Sequence, residues 1–370
     1  MGLQGLFAVP SKIFANFDFA LTYTLVMKQP FMKTPQLVLA TCVGLLLSPL
    51  AQGGSLHAFI WNSSTGMQDL GTLGGNTSYA IGINDNGEVV GYSYLADNVT
   101  THAFTWTAAG GMVDLGSLPG GTSTQGSCIN NAGNVGGNGI DANGRQVPFF
   151  WSATGGFQTL PENTGDSRNY SFGINDRDEL TGQQYGSGNS GEIVHAFFWA
   201  PIDGIKQNLP PLTGGLHTVG NSINNKEQIT GTASVPNNGS IFHAFVWSQS
   251  GGTRDIGGVP GQTYTAGVSI NAKSEVVGFG GSGAVGFYWS RATRMVLLQT
   301  LGGLQSAAFS INNTGAIAGY STNSGGAIHA VLWPDKSSAP QDLGTLPGGT
   351  NSYGRFINNV GQVAGYADVP

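Results

Sequence analysis

The chain has 370 residues and a formal net charge of −6, and only 9% of its residues are charged, against roughly 25% in ordinary globular proteins. Hydrophobic residues make up 40%, enough for a sizeable core, so the low charge is not that of a disordered chain, which pairs low hydrophobicity with high net charge. No cluster of lysine or arginine occurs, which excludes nucleic acid and electrostatic docking to anionic lipid as partners, since both need a basic stripe.

Residues 1–54 differ in composition from the remainder. Lys33 is followed by an apolar run from Leu37 to Ala51, bracketed by Pro35 and Pro49. A basic start and a short apolar run read as a signal peptide, because a spanning helix needs about 20 apolar residues. Met32 gives a cleaner start than Met1, so residues 1–31 read as an over-extended beginning. Residues 55–370 then read as one secreted domain, extracellular or periplasmic, with no membrane span. Cys42 falls in the segment expected to be removed. Cys128 is left without a disulfide partner and is expected to be a small buried residue.

The repeat region opens at Leu56–Trp61. Tryptophan recurs at 61, 106, 151, 199, 247, 289 and 333, at steps of 42–48 residues. An Ile-Asn pair recurs seven times, from Ile83-Asn84 to Ile357-Asn358. One full unit reads as four strands: Ser78–Asn84, Glu88–Ser93 after an Asp85-Asn86-Gly87 turn, Thr101–Trp106, and Met112–Leu115. Asn-Gly is the strongest short hairpin signal. Gly116–Gly121 then leads to the next unit. Four short strands in about 45 residues is a propeller blade. The first unit begins at its third strand, and the last, Gln362–Tyr366, ends after its second. The expected fold is therefore an all-β, seven-bladed β-propeller with four antiparallel strands per blade. Its ring is closed by N- and C-terminal strands sharing one blade, which removes two exposed sheet edges.

The phrases His57-Ala58-Phe59, Asp69-Leu70-Gly71-Thr72-Leu73-Gly74-Gly75 and Ile83-Asn84-Asp85-Asn86-Gly87, recurring in order over residues 55–368, resemble those of the extracellular HAF-repeat family. The resemblance implies bacterial export and brings no established activity, cofactor or catalytic residue with it.

Three repeated features carry physical meaning. The Asn of each Ile-Asn pair is suited to fix its turn by bonding the backbone two residues on. The Phe and Trp of the third strand share one face by alternation and should pack between blades. Histidine opens the third strand in five units (His57, His102, His195, His243, His329), and twelve or thirteen residues later stand Asp69, Asp114, Asn208, Asp255 and Asp342. The units with Val147 and Val285 have Thr159 and Leu297 there. This co-variation predicts five structural cross-strand pairs, with each Asp or Asn directly opposite its His. Equivalent positions fan outwards, so these histidines are not expected to converge on a metal.

Function is expected where the symmetry breaks. Most inter-blade loops read Leu-Pro-Gly-Gly or close to it, but Pro161–Asn169 carries Glu162, Asp166 and Arg168. His217 lies in another such loop. Arg355 takes a first-strand position held elsewhere by Ile81, Ser127, Phe172, Asn221, Val268 and Phe309. These five residues are the candidate ligand site at the channel mouth. The sequence favours a secreted, monomeric binding or scaffold module for an extracellular polysaccharide or protein, with no cofactor and no metal. The alternative is a glycoside hydrolase or lyase using loop carboxylates. It is disfavoured because Glu162 and Asp166, the only plausible pair, share one loop.

Overall fold

In each repeat the alternating apolar pattern folds into a four-stranded antiparallel sheet, and the chain builds seven of them. The structure is a computed structural model that describes residues 55–370 apart from 162–168, 189, 190, 203, 205, 237 and 282–284; the expected signal peptide lies outside the described residues. Blade 1 is the composite one: from rim to axis it runs Gly66–Asp69, Ser55–Asn62, Val363–Val369, Ser352–Ile357. Blades 2 to 7 follow in chain order, with inner strands Gly74–Ile83, Thr124–Ile129, Asn169–Ile174, Thr218–Ile223, Thr265–Ile270 and Gly302–Ile311. Neighbouring inner strands touch all the way round, including blade 1 with blades 2 and 7. The molecule is a seven-bladed β-propeller, closed by its first and last strands through the register Ser55↔Val369 to Trp61↔Val363.

The core lies between blades. Phe59, Phe104, Phe149, Phe197, Phe245 and Phe287 of the third strands are fully buried, as alternation requires. Cys128 is buried and free, and burial pushes its thiol up to about 12, so it behaves as an inert apolar side chain.

The Ile-Asn asparagines do more than fix turns. Asn84 Oδ1 accepts from the backbone N–H of Asn86 and of Glu88 at 3.1 and 2.9 Å, the expected turn. Its Nδ2 also donates to the Asn130 carbonyl of the next blade. The same reach repeats from 130 to 175, 224, 271, 312 and 358, and Asn358 returns to Asn84, every bond being 2.9–3.2 Å. Seven buried amides thus form a closed circuit. A second, more exposed circuit runs one residue further on, each backbone N–H donating to the next blade's Asn or Asp side chain at 2.8–3.0 Å. It breaks where blade 6 has Ala272, which offers Asn225 no acceptor. Ala272→Asn should restore the link and add about 0.5–1 kcal/mol, the net worth of one hydrogen bond. Urea titration will show a higher midpoint at unchanged slope if so.

Candidate functional site

Every inner strand carries a β-bulge at one place. The register skips Ile81, Ser127, Phe172, Asn221, Val268, Phe309 and Arg355 in turn. A bulge re-aims the extra side chain, and all seven are buried. These are the positions the sequence grouped with Arg355. Its guanidinium lies 4.1 Å over the Phe309 ring, a cation–π contact in a desolvated place. Tyr366, Tyr92 and Tyr320 stand close enough to favour its charged form, against the burial that lowers its pKa.

Around Arg355, toward the face where inter-blade loops gather, nine rings form an arc. It runs Phe242, Tyr264, Phe279, Phe309, Tyr320, Tyr353, Tyr366, Tyr79, Tyr92, with successive centroids 4.9–6.4 Å apart. Burial raises the Tyr366 hydroxyl to about 12, with Arg355 opposing the rise, and burial likewise holds Tyr92 well above its usual range. These phenols are neutral packing elements at pH 7. The arc spans blades 5, 6, 7, 1 and 2.

Blades 3 to 5 are different. Where blade 2 pairs Tyr79 with Tyr92 and blade 1 pairs Tyr353 with Tyr366, blade 3 pairs Gln125 with Asn138 and blade 4 pairs Tyr170 with Gln183. One position on, Ser93, Gly139, Ala233, Gly280, Ser321 and Ala367 are small, but blade 4 has Gln184. Gln183 and Gln184 are 0% and 1% exposed. Gln183 Oε1, both ends of the Gln184 amide, His195 Nδ1 and Asn221 Oδ1 are buried without a hydrogen-bond partner among the described residues. An unsatisfied buried polar group costs about 1–3 kcal/mol, so their grouping in one sector is a departure from the economy of the other blades. The junction itself is altered. In most blades a Ser or Thr opening the inner strand accepts the preceding blade's third-strand N–H, as Ser78 does from Ala58 and Thr124 from Ala103. At the blade 3–4 junction the aligned residues are Pro148, which has no N–H, and Asn169.

The histidine pairs form in four blades, with Nδ1 2.7–2.9 Å from the nearest carboxylate oxygen in His57–Asp69, His102–Asp114, His243–Asp255 and His329–Asp342. Two expectations need correction. The partners are diagonal, not opposite: Asp69, Asp114, Asp255 and Asp342 face Phe59, Phe104, Phe245 and Val331, two residues beyond the His. The fifth pair, His195 with Asn208, is absent. Each paired Asp also accepts the N–H of the glycine two residues on, at 2.7–2.8 Å (Gly71, Gly116, Gly257, Gly344). These glycines have positive φ, as glycine allows. Asn208 is followed by Leu209-Pro210, so the turn that holds the acid in place cannot form. A double-mutant cycle on His102 and Asp114 should give a coupling of about 0.5–1 kcal/mol, as for exposed ion pairs; the same cycle on His195 and Asn208 should give none.

His195 instead lies near His217, whose Nδ1 accepts the Val194 N–H at 3.3 Å. Burial lowers both imidazoles below the ordinary 6.5, and His195 adds to the lowering at His217. The unfolded chain therefore takes up protons that the folded chain resists, and stability falls with acidity. Melting temperature should drop as pH goes below about 6.5, and a His195→Gln/His217→Gln variant should lose part of that drop.

Of the five candidate ligand residues, Glu162, Asp166 and Arg168 lie outside the described residues. His217 and Arg355 are not neighbours. His217 is held against blade 4 at the start of blade 5, and Arg355 belongs to blade 1, which touches blades 7 and 2. Sequence reasoning missed Gln183, Gln184 and Asn221; aligning the seven units position by position shows Gln184 as the one long side chain in its column.

No protein-family description matches the sequence, and no curated protein matches it. Solved structures with a similar course of chain include a TolB-type protein from Agrobacterium tumefaciens (11% identity, 86% of this chain and 99% of that one, TM-score 0.49). Another is virginiamycin B lyase from Staphylococcus aureus (11%, 85% and 99%, 0.48), and a third is a gluconolactonase from Xanthomonas campestris (11%, 81% and 88%, 0.41).

Proposed function

We propose that this chain is an exported binding module that presents an extracellular polysaccharide or surface protein with a ligand site on its loop face, in the sector of blades 3 to 5. The observation that carries the reading is the concentration of symmetry-breaking polar residues there, while blades 6, 7, 1 and 2, with Phe242 of blade 5, pack an aromatic arc. Buried groups left unsatisfied cost stability, and such costs gather where function requires them. The loop bearing Glu162, Asp166 and Arg168 joins blades 3 and 4, so its charges belong by sequence to the same sector. Hydrolysis would need a carboxyl held protonated near neutrality. Among the described residues, the acids whose pKa departs from normal go the other way: hydroxyl hydrogen bonds from Thr100 and from Ser337 lower Asp97 and Asp335.

The test is a glycan and surface-protein array probed with wild type and with a Glu162→Ala/Asp166→Ala/Arg168→Ala variant, with product analysis on every ligand retained. Retention without turnover, weakened in the variant, is the expected result. Turnover abolished by the triple substitution would replace the binding reading with an enzymatic one. Export is checked by N-terminal sequencing of the protein recovered outside the cytoplasm, with the new terminus expected near residue 55.

A further inference from the structure

Resting on the binding reading above, we propose that the ligand is a neutral, polyhydroxylated sugar chain docked at the loop-face end of blade 4. The first ground is the balance of hydrogen-bonding groups. Five of the orphaned atoms in blades 4 and 5 are three amide oxygens (Gln183 Oε1, Gln184 Oε1, Asn221 Oδ1), one amide nitrogen (Gln184 Nε2) and one imidazole nitrogen (His195 Nδ1); the Trp199 indole N–H, at the other end of the third strand of blade 4, is a sixth. Acceptors outnumber donors. A carboxylate, sulfate or phosphate brings acceptors alone and would set negative charge against these oxygens. A sugar hydroxyl both gives and takes a hydrogen bond and suits such a set.

The second ground is the surface beside them. Tyr170 pairs with Gln183 in the sheet and so points to the same side; Tyr185, two residues on from Gln183, shares that side by alternation. Gln183 Nε2 donates to the Tyr185 hydroxyl at 3.2 Å. The Tyr170 ring stacks with Phe172 at an interplanar angle of 12° and meets Tyr185 edge-on. Both tyrosines are half-buried, as are Tyr79, Tyr92 and Tyr264 of the aromatic arc. Aromatic faces beside fixed amides bind the apolar C–H face of a sugar ring and its hydroxyls together. The third ground is charge: these side chains are phenols and amides, and burial keeps His195 and His217 neutral at pH 7. Gln184 turns to the opposite side of the same strand, the second of blade 4, where its register neighbours are Asn169 and His195.

The experiment uses the full chain against immobilised cello-, malto-, xylo- and laminari-oligosaccharides, with alginate, pectate and sulfated glycans as charged comparators. Wild type should retain at least one neutral series, and affinity should fall about tenfold in Gln183→Met, the loss expected for one or two ligand hydrogen bonds. Tyr170→Phe should bind nearly as wild type and Tyr170→Ala should not. Gln183→Met keeps the volume and removes an unsatisfied amide oxygen together with the Nε2 hydrogen bond to Tyr185, so its melting temperature should stay close to that of wild type; a residue with a purely packing role would leave binding unmoved. Neutral binding untouched by Gln183→Met and Tyr170→Ala overturns the placement in blade 4. Binding to charged glycans or proteins alone overturns the neutral-sugar inference and leaves the binding reading standing. No binding to any ligand of either array overturns both.

Discussion

Deleting Val363–Pro370 should abolish cooperative folding. That segment holds the middle strand of the composite blade, paired to Ser55–Asn62 on one side and Ser352–Ile357 on the other. Its loss exposes Phe59 and Trp61, which pack against Val363 and Ala367, and removes the buried Tyr366 from the aromatic arc. Burial of one large apolar side chain is worth about 1.5–3 kcal/mol, so the loss approaches the 5–15 kcal/mol that holds a typical domain together. Two unpaired strand edges would also be left open to intermolecular pairing. Near-UV circular dichroism and size-exclusion chromatography should show lost tertiary signal and soluble aggregates. A sharp melt within about 5 °C of the full chain, a shift worth only one or two kcal/mol, would show that the ring does not depend on its seam.

Asn312→Ala should produce the next largest loss, about 2–4 kcal/mol, from stranding several buried groups at once. Asn312 Oδ1 accepts from the Thr314, Gly315 and Ala316 N–H groups and the Thr314 hydroxyl, and Nδ2 donates to the Asn358 carbonyl. Asn312→Asp separates the two jobs: it keeps the acceptor and removes the donor. Its loss should be about 1–2 kcal/mol, the share of the inter-blade circuit alone. Guanidinium unfolding of the three proteins decides it; equal losses for both variants would mean that the turn cap contributes nothing of its own.

How much of this was legible differs by kind of signal. The propeller, its blade count and the shared blade follow from spacing and phase, because Trp61 to Trp333 and Asn84 to Asn358 mark positions that every blade must fill alike. The Asn circuit was not legible, because a turn-forming asparagine and one that also reaches the next blade look the same in sequence; only the closed ring shows where Nδ2 goes. The diagonal offset of His102 and Asp114 is set at the hairpin, where Thr107 pairs with Gly111 and so brings Asp114 opposite Phe104. The missing fifth pair was legible and overlooked: Asp-Leu-Gly or Asp-Ile-Gly marks each pair that forms, and Asn208-Leu209-Pro210 lacks both the acid and the N–H. The orphaned amides of blade 4 stand out only when its columns are compared with the others, since a lone Gln184 reads as an ordinary polar residue.

The shared blade also sets a timetable. The strand at Ser55–Asn62 has its partner at Val363–Val369, so nearly the whole domain must be synthesised before the two can meet. At about 5–20 residues per second a ribosome needs on the order of 15–60 s to deliver the missing strand. Throughout that interval the earliest strand has one hydrogen-bonding edge unmatched, and such long-range pairing is intrinsically slow to form. A chain built this way gains from being kept extended until its last residues arrive.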